Sequence, residues 1–288
     1  MANLKEIRNR IASVKSTMQI TSAMKMVSAA KLKKAQDAIT AMRPYANKLT
    51  ELLQGLSATL DGDTGSQFSK QREVNNVLVV AITSNRGLCG AFNTNIIKEV
   101  RRLAEEAYQD KEVTTVTIGK KGNDILSKTL NVASNHNEIF DDLTFENVAE
   151  VAEMLMSKYT EGEFDKIELV YNKFKNAATQ IVMTEQFLPI VPVVSEEDSH
   201  ANLDYIFEPS KIEIVEQLIP KSLKTQLFKA LRDSFASEHG ARMTAMHKAT
   251  DNAGELRDSL TLTYNKARQA AITNEILEIV GGAEALNN

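Results

Sequence analysis

The sequence predicts a mixed fold: two long helices, one at each end of the chain, pair as an antiparallel coiled coil, and the middle forms an α/β domain. Apolar residues recur at alternating steps of three and four near both termini, which predicts the coiled coil. The middle opens with a continuous apolar run typical of a buried strand. The predicted divisions are an N-terminal helix at 1–60, a loop at 61–73, the α/β domain at 74–195, a connector at 196–208 and a C-terminal helix at 209–288.

The N-terminal helix carries an interrupted apolar seam. The apolar residues at heptad spacing are Leu4, Ile7, Ile11, Val14, Met18, Leu32, Ala35, Ile39 and Met42. Within the interruption Thr21, Lys25 and Ser28 keep this phase, whereas Ile20, Met24 and Val27 fall one position earlier. Two interpretations stay open: a 3.6-residue helix drifts against a 3.5-residue repeat, or the apolar stripe turns toward a different partner.

The C-terminal helix carries a longer seam. Its predicted members are Met246, Ala249, Ala253, Leu256, Leu260, Thr263, Ala267, Ala270, Asn274 and Leu277. Pro220 is expected to break or bend this segment, giving a short helix to about Ile219 and a continuous one from Lys221 to Glu284, whereas Pro44 is expected to kink the N-terminal helix. The continuous piece would be roughly 95 Å long at 1.5 Å per residue.

Two glycines interrupt the C-terminal helix. Gly240 and Gly254 each cost about 1 kcal/mol of helix stability relative to alanine. Either they are tolerated weak points, or they let the backbone of another subunit come close.

The middle of the chain alternates strands and helices. The predicted elements are strands at 76–83 and 113–118, helices at 92–107, 124–130 and 145–159, and a hairpin of strands 166–174 and 179–187. This order indicates a Rossmann-like α/β head domain with the hairpin at one edge of its sheet.

Few residues suggest a catalytic, metal-binding or nucleotide-binding site. The loop from Ser84 to Gly90 follows a strand and opens a helix, as phosphate-binding loops do, but it fits neither glycine-rich template, and Gly119 to Gly122 also fails. Cys89 is the single cysteine, and the four histidines lack the spacing that places two on one helical face. We therefore expect no catalytic residue, no metal, no cofactor and no direct nucleotide binding, and Cys89 to be a packed thiol.

The charge pattern favours a partner that bears carboxylates. Residues 1–48 carry ten Lys and Arg against two Asp and Glu, yet the net charge of the chain is -4 and it contains no tryptophan. A nucleic-acid partner is therefore not expected. The sequence also has no apolar run long enough for a membrane-spanning helix and no secretory signal.

Three separated motifs resemble one family. The opening LKEIRNRIASVKSTMQITSAMKMVSAAKLKKAQ, the loop SNRGLCGAFN and the ending YNKARQAAITNEILEIVGGA are similar to gamma subunits of F-type ATP synthases, bacterial type. The resemblance implies a central rotor stalk that turns inside a ring of three alpha and three beta subunits. It also implies contacts with the epsilon subunit and the membrane c ring, and a peripheral location at the cytoplasmic face of the bacterial plasma membrane. Catalytic residues would belong to beta.

The same resemblance implies roles for individual residues. Met24 and Lys25 would face an acidic lever of beta, and further contacts with the alpha and beta ring would come from Arg242, Arg268, Gln269, Thr273 and Glu275. Tyr205 and Glu208 would meet the c ring. The apolar tip from Ile272 to Leu286 would need a hydrophobic sleeve supplied by other subunits. The alternative for each position is an ordinary solvated residue on a helix surface.

Two other classes of protein remain as rivals. One is a nucleotide-binding α/β enzyme decorated with helices, and the other is a coiled-coil adaptor or nucleic-acid binder that uses the basic first helix. Tight nucleotide binding by the isolated chain would favour the first, and strongly salt-dependent binding to DNA would favour the second.

Overall fold

The computed structural model describes residues 4–57, 67–190 and 211–286. Its elements in chain order are α1 (Leu4–Ser57), β1 (Asn76–Ile82), α2 (Phe92–Arg102), β2 (Glu112–Ile118), α3 (Lys120–Leu126), β3 (Asn131–Asn135), α4 (Phe145–Thr160), β4 (Lys166–Phe174), β5 (Gln180–Leu188) and α5 (Lys211–Leu286). A π-helical turn at Leu103–Ala107 extends α2, and a 3-10 turn occupies Asn137–Phe140. The chain forms two compact units, one from Met1–Ser28 with Met243–Asn288 and one from Ala29–Arg242.

In the first unit, α1 and α5 pair in opposite directions. The Arg8 guanidinium donates to the Tyr264 hydroxyl at 2.7 Å, and the Thr250 hydroxyl donates to the Thr21 hydroxyl at 2.8 Å. Residue numbers therefore rise along α1 as they fall along α5. The predicted antiparallel coiled coil is confirmed.

The α1 side of this pairing keeps one phase through the polar interruption. Thr21 and Ser28 are buried and Lys25 is half-buried. Among the displaced apolar residues, Ile20 and Val27 are 57% and 58% exposed, and Met24 is half-buried. The interface with α5 thus does not follow the displaced apolar residues, and the interpretation as helix drift is wrong for this pairing. The side chains of Ile20 and Val27 lie outside the seam, as the other interpretation expects.

The α5 side differs from the predicted seam at several alternate positions. Met246 and Ala253 are buried and Leu260 is half-buried, as predicted. Ala249 is half-buried, as is Thr250 beside it. Further along the helix the half-buried residues are Arg257, Tyr264 and Ala271, each one position after an exposed predicted member (Leu256, Thr263 and Ala270). The predicted members Asn274 and Leu277 are exposed. At Arg257 and Tyr264 long side chains explain the shift, because their stems cover the seam while their polar ends reach Met18 and Arg8 of α1.

α5 runs through Pro220 without a break, so the predicted division into two helices is wrong. Proline removes one backbone hydrogen bond, but Ile219, Leu223 and Leu227 continue one apolar face past it and are buried in the core of the second unit. This packing outweighs the lost bond. α1 likewise continues past Pro44 to Ser57.

A five-stranded sheet forms the core of the second unit. The strand order is β3-β2-β1-β4-β5, and every pair is parallel except β4 with β5. One face packs on α4 and on the α5 residues from Ile219 to Leu231, and the other packs on α2. The predicted Rossmann-like order and the hairpin at the sheet edge are confirmed.

Two elements in this unit differ from the prediction. The helix expected at 124–130 lies at Lys120–Leu126, because the Gly122 amide donates to the Thr83 hydroxyl at 2.9 Å and so draws the helix start toward β1. A Cβ atom on Gly122 would lie 2.7 Å from that hydroxyl, so glycine is required there. Strand β3 was not predicted, since NVASN lacks the apolar run of a buried strand.

The two helical glycines differ in their surroundings. A Cβ atom on Gly240 would lie 3.2 Å from the Cα and carbonyl oxygen of Ala177, in the turn between β4 and β5. A Cβ atom on Gly254 would meet nothing within 4 Å. Gly240 therefore lets a backbone come close, and that backbone belongs to this chain.

These surroundings predict opposite effects for the same substitution. Gly254→Ala should raise the free energy of unfolding by about 1 kcal/mol, the gain in helix propensity. Gly240→Ala should lower it by about 1 kcal/mol, because overpacking against Ala177 exceeds that gain. Urea unfolding of the two variants measures both changes, and equal stabilisation of the two would contradict the packing argument.

Candidate functional site

The strand order of the sheet reverses between β1 and β4, which is where doubly wound sheets bind ligands. In this chain α5 is bonded to the carboxyl-terminal part of β4 and to the loop that follows β1. The Ser237 hydroxyl donates to the Asn172 carbonyl at 2.9 Å, and the Asn172 amide group donates to the Phe92 carbonyl at 3.2 Å. Cys89, Phe92 and Ala241 form a buried apolar cluster beside them. The position that would take a nucleotide is filled by a helix of the chain itself.

The loop after β1 uses its polar atoms internally. The Ser84 amide donates to Asn93 Oδ1 at 2.9 Å, and the Ser84 hydroxyl donates to the Arg86 carbonyl at 2.7 Å. The Asn85 side chain bridges to the Asn137 carbonyl and the Lys120 amide. A phosphate cradle needs amides that point to a ligand, and the Ser84 amide is instead bonded to Asn93.

Cys89 lies in the same loop and is buried. Burial raises the pKa of its thiol, so the thiol stays protonated at neutral pH. The expectation of a packed thiol agrees with this environment.

Arg242 closes this loop from the side of α5. Its guanidinium donates to Glu238 Oε1 at 2.6 Å, to the Arg86 carbonyl at 2.9 Å and to the Gly87 carbonyl at 3.2 Å. The residue is only 7% exposed. The alternative that Arg242 is an ordinary solvated residue is wrong.

Two buried titratable groups flank Arg242. Burial raises the pKa of Glu238, while the adjacent guanidinium of Arg242 opposes that rise. Burial, with Arg242 and Lys31 nearby, lowers the pKa of His239 to about 4. His239 is therefore neutral at pH 7, and its ring packs edge-on against Phe235.

The other implied ring contacts lie in the first unit and form two groups. Met24 and Lys25 are half-buried on α1, and Lys25 Nζ lies 3.2 Å from His247 Nδ1. The second group consists of the exposed α5 residues Arg268, Gln269, Thr273 and Glu275. Because Lys25 pairs at the level of His247, about 30 Å along α5 separates the two groups. The structure therefore does not bring them together in one site.

Two features of these positions bear on partner binding. The Thr273 hydroxyl donates to the Gln269 carbonyl at 2.9 Å within the helix, which leaves its methyl group for an outside contact. Tyr205 and Glu208 lie outside the described residues. Glu238 was missed in the sequence, although its spacing of four residues from Arg242 on a helix is the signal that could have found it.

The end of α5 exposes a row of apolar side chains. Every residue from Ile272 to Ala283 is exposed. The large apolar members, between 47% and 71% exposed, are Ile272, Ile276, Leu277, Ile279 and Val280. Four of them follow the spacing of a single helical face. This stretch lies beyond the last half-buried seam residue, Ala271, so α1 does not cover it.

Within the residues that the structure describes, no group of three or more His, Cys, Asp or Glu side chains could hold a metal ion. No helix of the described ranges combines the length and the apolar character needed to cross a bilayer.

Known proteins match this chain along its whole length. A family model described as ATP synthase matches residues 3–286. The ATP synthase gamma chain of Flavobacterium psychrophilum is 76% identical over 286 residues, which cover 99% of both chains. The chain belongs to the ATP synthase gamma chain family. The gamma chain of Flavobacterium johnsoniae is 75% identical over the full length of both proteins. The resemblance inferred from the three motifs is confirmed.

Solved structures support the same assignment of the fold. A chain of the Tetrahymena thermophila mitochondrial ATP synthase central stalk and c-ring is 26% identical, with a TM-score of 0.59, covering 80% of this gamma-family chain and 99% of the other. A chain of the Euglena gracilis mitochondrial ATP synthase, at 22% identity, gives a TM-score of 0.71 over 98% and 94% of the two chains. The second likeness shows the fold alone.

The lowered pKa of His239 predicts a pH-dependent stability. In the unfolded chain this histidine takes up a proton below about pH 6.5, whereas in the folded chain it does so only near pH 4. The free energy of unfolding should therefore fall by about 3 kcal/mol as the pH drops through this window. Denaturant unfolding of wild type and His239→Gln between pH 7.5 and 4 measures the difference, and parallel curves would contradict it.

Proposed function

We propose that the chain is the central rotor shaft of an F-type ATP synthase. It couples transmembrane ion flow to ATP synthesis or hydrolysis in a ring of three alpha and three beta subunits, and catalysis belongs to those subunits. The observation that carries this proposal is the paired α1 and α5 helices with an uncovered apolar end, in a chain of the gamma family. A helix pair that leaves one end unpartnered is suited to insertion into a surrounding assembly.

The apolar end of α5 supports a sheath made by other subunits. Contiguous exposed apolar surface of this kind marks an interaction site, because water does not favour its exposure. The large apolar side chains of the row from Ile272 to Val280 are between 47% and 71% exposed. We propose that the alpha and beta ring provides the hydrophobic sleeve, and that Arg268, Gln269, Thr273 and Glu275 make polar contacts at its edge.

The exposed stripe of α1 supports a second contact. Met24 lies between Ile20 and Val27 on one helical face, and Lys25 adds a positive charge beside it. An acidic lever of beta with apolar neighbours complements such a surface. Exposed ionic contacts of this kind are worth about 0 to 1 kcal/mol each, which lets them form and release during rotation.

Rotation loads the helix pair with the energy of ion transport. One charge that crosses 100 mV supplies about 2.3 kcal/mol, and several charges must be combined for each ATP. The pair must hold this work without unfolding. Continuous helices through Pro44 and Pro220 are consistent with that demand.

The remaining assignments complete the proposal. Tyr205 and Glu208 contact the c ring, the α/β domain contacts the epsilon subunit, and the protein is peripheral at the cytoplasmic face of the bacterial plasma membrane. A role as a nucleotide-binding enzyme is disfavoured because α5 fills the ligand position of the sheet. The acidic net charge of -4 disfavours a nucleic-acid partner.

Charge reversal at Lys25 tests the contact with the acidic lever. We expect Lys25→Glu to reduce ATP-driven ion pumping by the assembled complex about fivefold, the factor that corresponds to losing roughly 1 kcal/mol at one contact. Fluorescence quenching in inverted vesicles measures pumping. The matched control is His247→Gln, which removes the neighbour of Lys25 on α5 but keeps the lysine charge. Equal loss in both variants would assign the effect to the helix pair and contradict a contact with beta.

Reconstitution tests the rotor role itself. The isolated chain should hydrolyse no ATP, should form a stable complex with an alpha and beta ring, and should change the ATPase rate of that ring. Equal rates with and without the chain, together with no stable complex on gel filtration, would overturn the proposal.

A further inference from the structure

Arg242 is placed to join two parts of the second unit. Its Nη1 donates to Glu238 one turn earlier on α5, while its Nη2 and Nε donate to the carbonyls of Arg86 and Gly87 in the loop after β1. The planar guanidinium allows this fork, because its N–H groups point in fixed directions. One buried side chain therefore holds the loop and the long helix in a single arrangement.

The clamped peptides set the conformation of Leu88. The Gly87 carbonyl belongs to the peptide bond that enters Leu88, and Arg242 fixes its direction. Leu88 has a φ of 61°, a left-handed conformation that side chains other than glycine rarely adopt, and it is 65% exposed. Such conformations persist where surrounding contacts impose them, and they cluster at functional sites. The clamp thus holds an apolar side chain out in water.

Glu238 is the counter-charge of this arrangement. It is 8% exposed, and three cations act on its carboxylate: Arg242 from α5, Lys31 from α1 and Arg86 from the loop. A buried guanidinium without a partner is strongly destabilised, so Glu238 keeps Arg242 in position to reach the loop. His239, whose Nδ1 lies 3.5 Å from Arg242 Nη1, is neutral at pH 7 and adds no charge.

We propose that Glu238 and Arg242 form a latch that locks the loop from Ser84 to Gly90 onto α5, and that Glu238 is a positioning residue for the exposed side chains of Arg86 and Leu88. The second part rests on the proposed function and extends it, since it adds this loop surface to the contacts with the ring, for which the family resemblance names Arg242. Arg242 then influences the ring through the loop, which fits its burial. The partner surface suited to Arg86 and Leu88 is a protein segment that carries a carboxylate beside an apolar side chain.

The single cysteine reports on the latch. Cys89 follows Leu88 directly and is 2% exposed, and its Sγ lies 3.3 Å from Asn93 Nδ2. A maleimide reaches this thiol only when the loop opens. The rate of labelling in the native full-length chain therefore measures opening, and its dependence on urea separates local opening from global unfolding.

Two variants separate the latch from general stability. Arg242→Lys keeps the charge beside Glu238 but loses the fork that reaches two carbonyls. The double variant Glu238→Gln with Arg242→Met removes both charges, so no unpaired buried charge remains to unfold the chain. The control is Glu153→Gln. It breaks a partly exposed ion pair between Glu153 of α4 and Lys224 of α5, away from the loop.

We expect labelling of Cys89 to be at least about tenfold faster in both latch variants, with a shallow dependence on urea, and unchanged in the control. Wild-type labelling rates in Arg242→Lys, or a urea dependence equal to that of global unfolding, would overturn the latch. In the assembled complex, Arg242→Lys should also lower ATP-driven pumping, and unchanged pumping beside faster labelling would overturn the positioning role. A wild-type chain that binds no ring would overturn the proposed function instead, and labelling of the free chain would still decide the latch.

Discussion

The packing of α1 against α5 in opposite directions is the constraint on which the first unit depends. Its seam is unusual in composition, since Thr21, Ser28 and Thr250 occupy central positions where a coiled coil commonly places leucine or isoleucine. Small polar side chains bury little apolar area, so each turn contributes modestly to stability. Their hydroxyl groups can bond across the seam and to their own helix, as Thr250 does with Thr21 and with the Met246 carbonyl. The pair thus depends on many weak contacts, none of which dominates.

The second unit uses a nucleotide-binding architecture for a different purpose. The reversal point of its sheet receives α5 residues, and the hydrogen bonds of Ser237, Asn172 and Arg242 fasten that helix to the sheet and to the loop after β1. Gly240 permits the turn between β4 and β5 to approach the same helix. Torque on α5 would therefore pass into the sheet through buried polar contacts and close backbone packing, both of which resist sliding.

The fold class could be predicted from the sequence because hydrophobic periodicity is strong in both the helices and the buried strands. β4 lies where its pattern placed it, from Lys166 to Phe174. The wrong predictions of seam positions have a common cause. A pattern of polar and apolar residues does not show how long a side chain is or which residue it contacts. Arg257 and Tyr264 occupy seam positions that a binary pattern gives to Leu256 and Thr263. The continuity of α5 at Pro220 was not predictable from the proline alone, because the buried apolar face around it stabilises the helix.

The residues of the candidate site were predictable to different degrees. The positions of Arg268, Gln269, Thr273 and Glu275 on α5 followed from motif likeness, and their exposure agrees with a role on a helix surface. The burial of Arg242 could not be predicted, because the carbonyls of Arg86 and Gly87 lie more than 150 residues away in sequence. Only the three-dimensional fold brings them together.

The uncovered row from Ile272 to Val280 has a consequence for the life of a newly made copy. Until the alpha and beta subunits assemble around it, each chain exposes an apolar helix end. Such a surface favours self-association and recognition by chaperones and proteases. Surplus copies are thereby disadvantaged, so a cell gains by matching the synthesis of this chain to that of the subunits that enclose it.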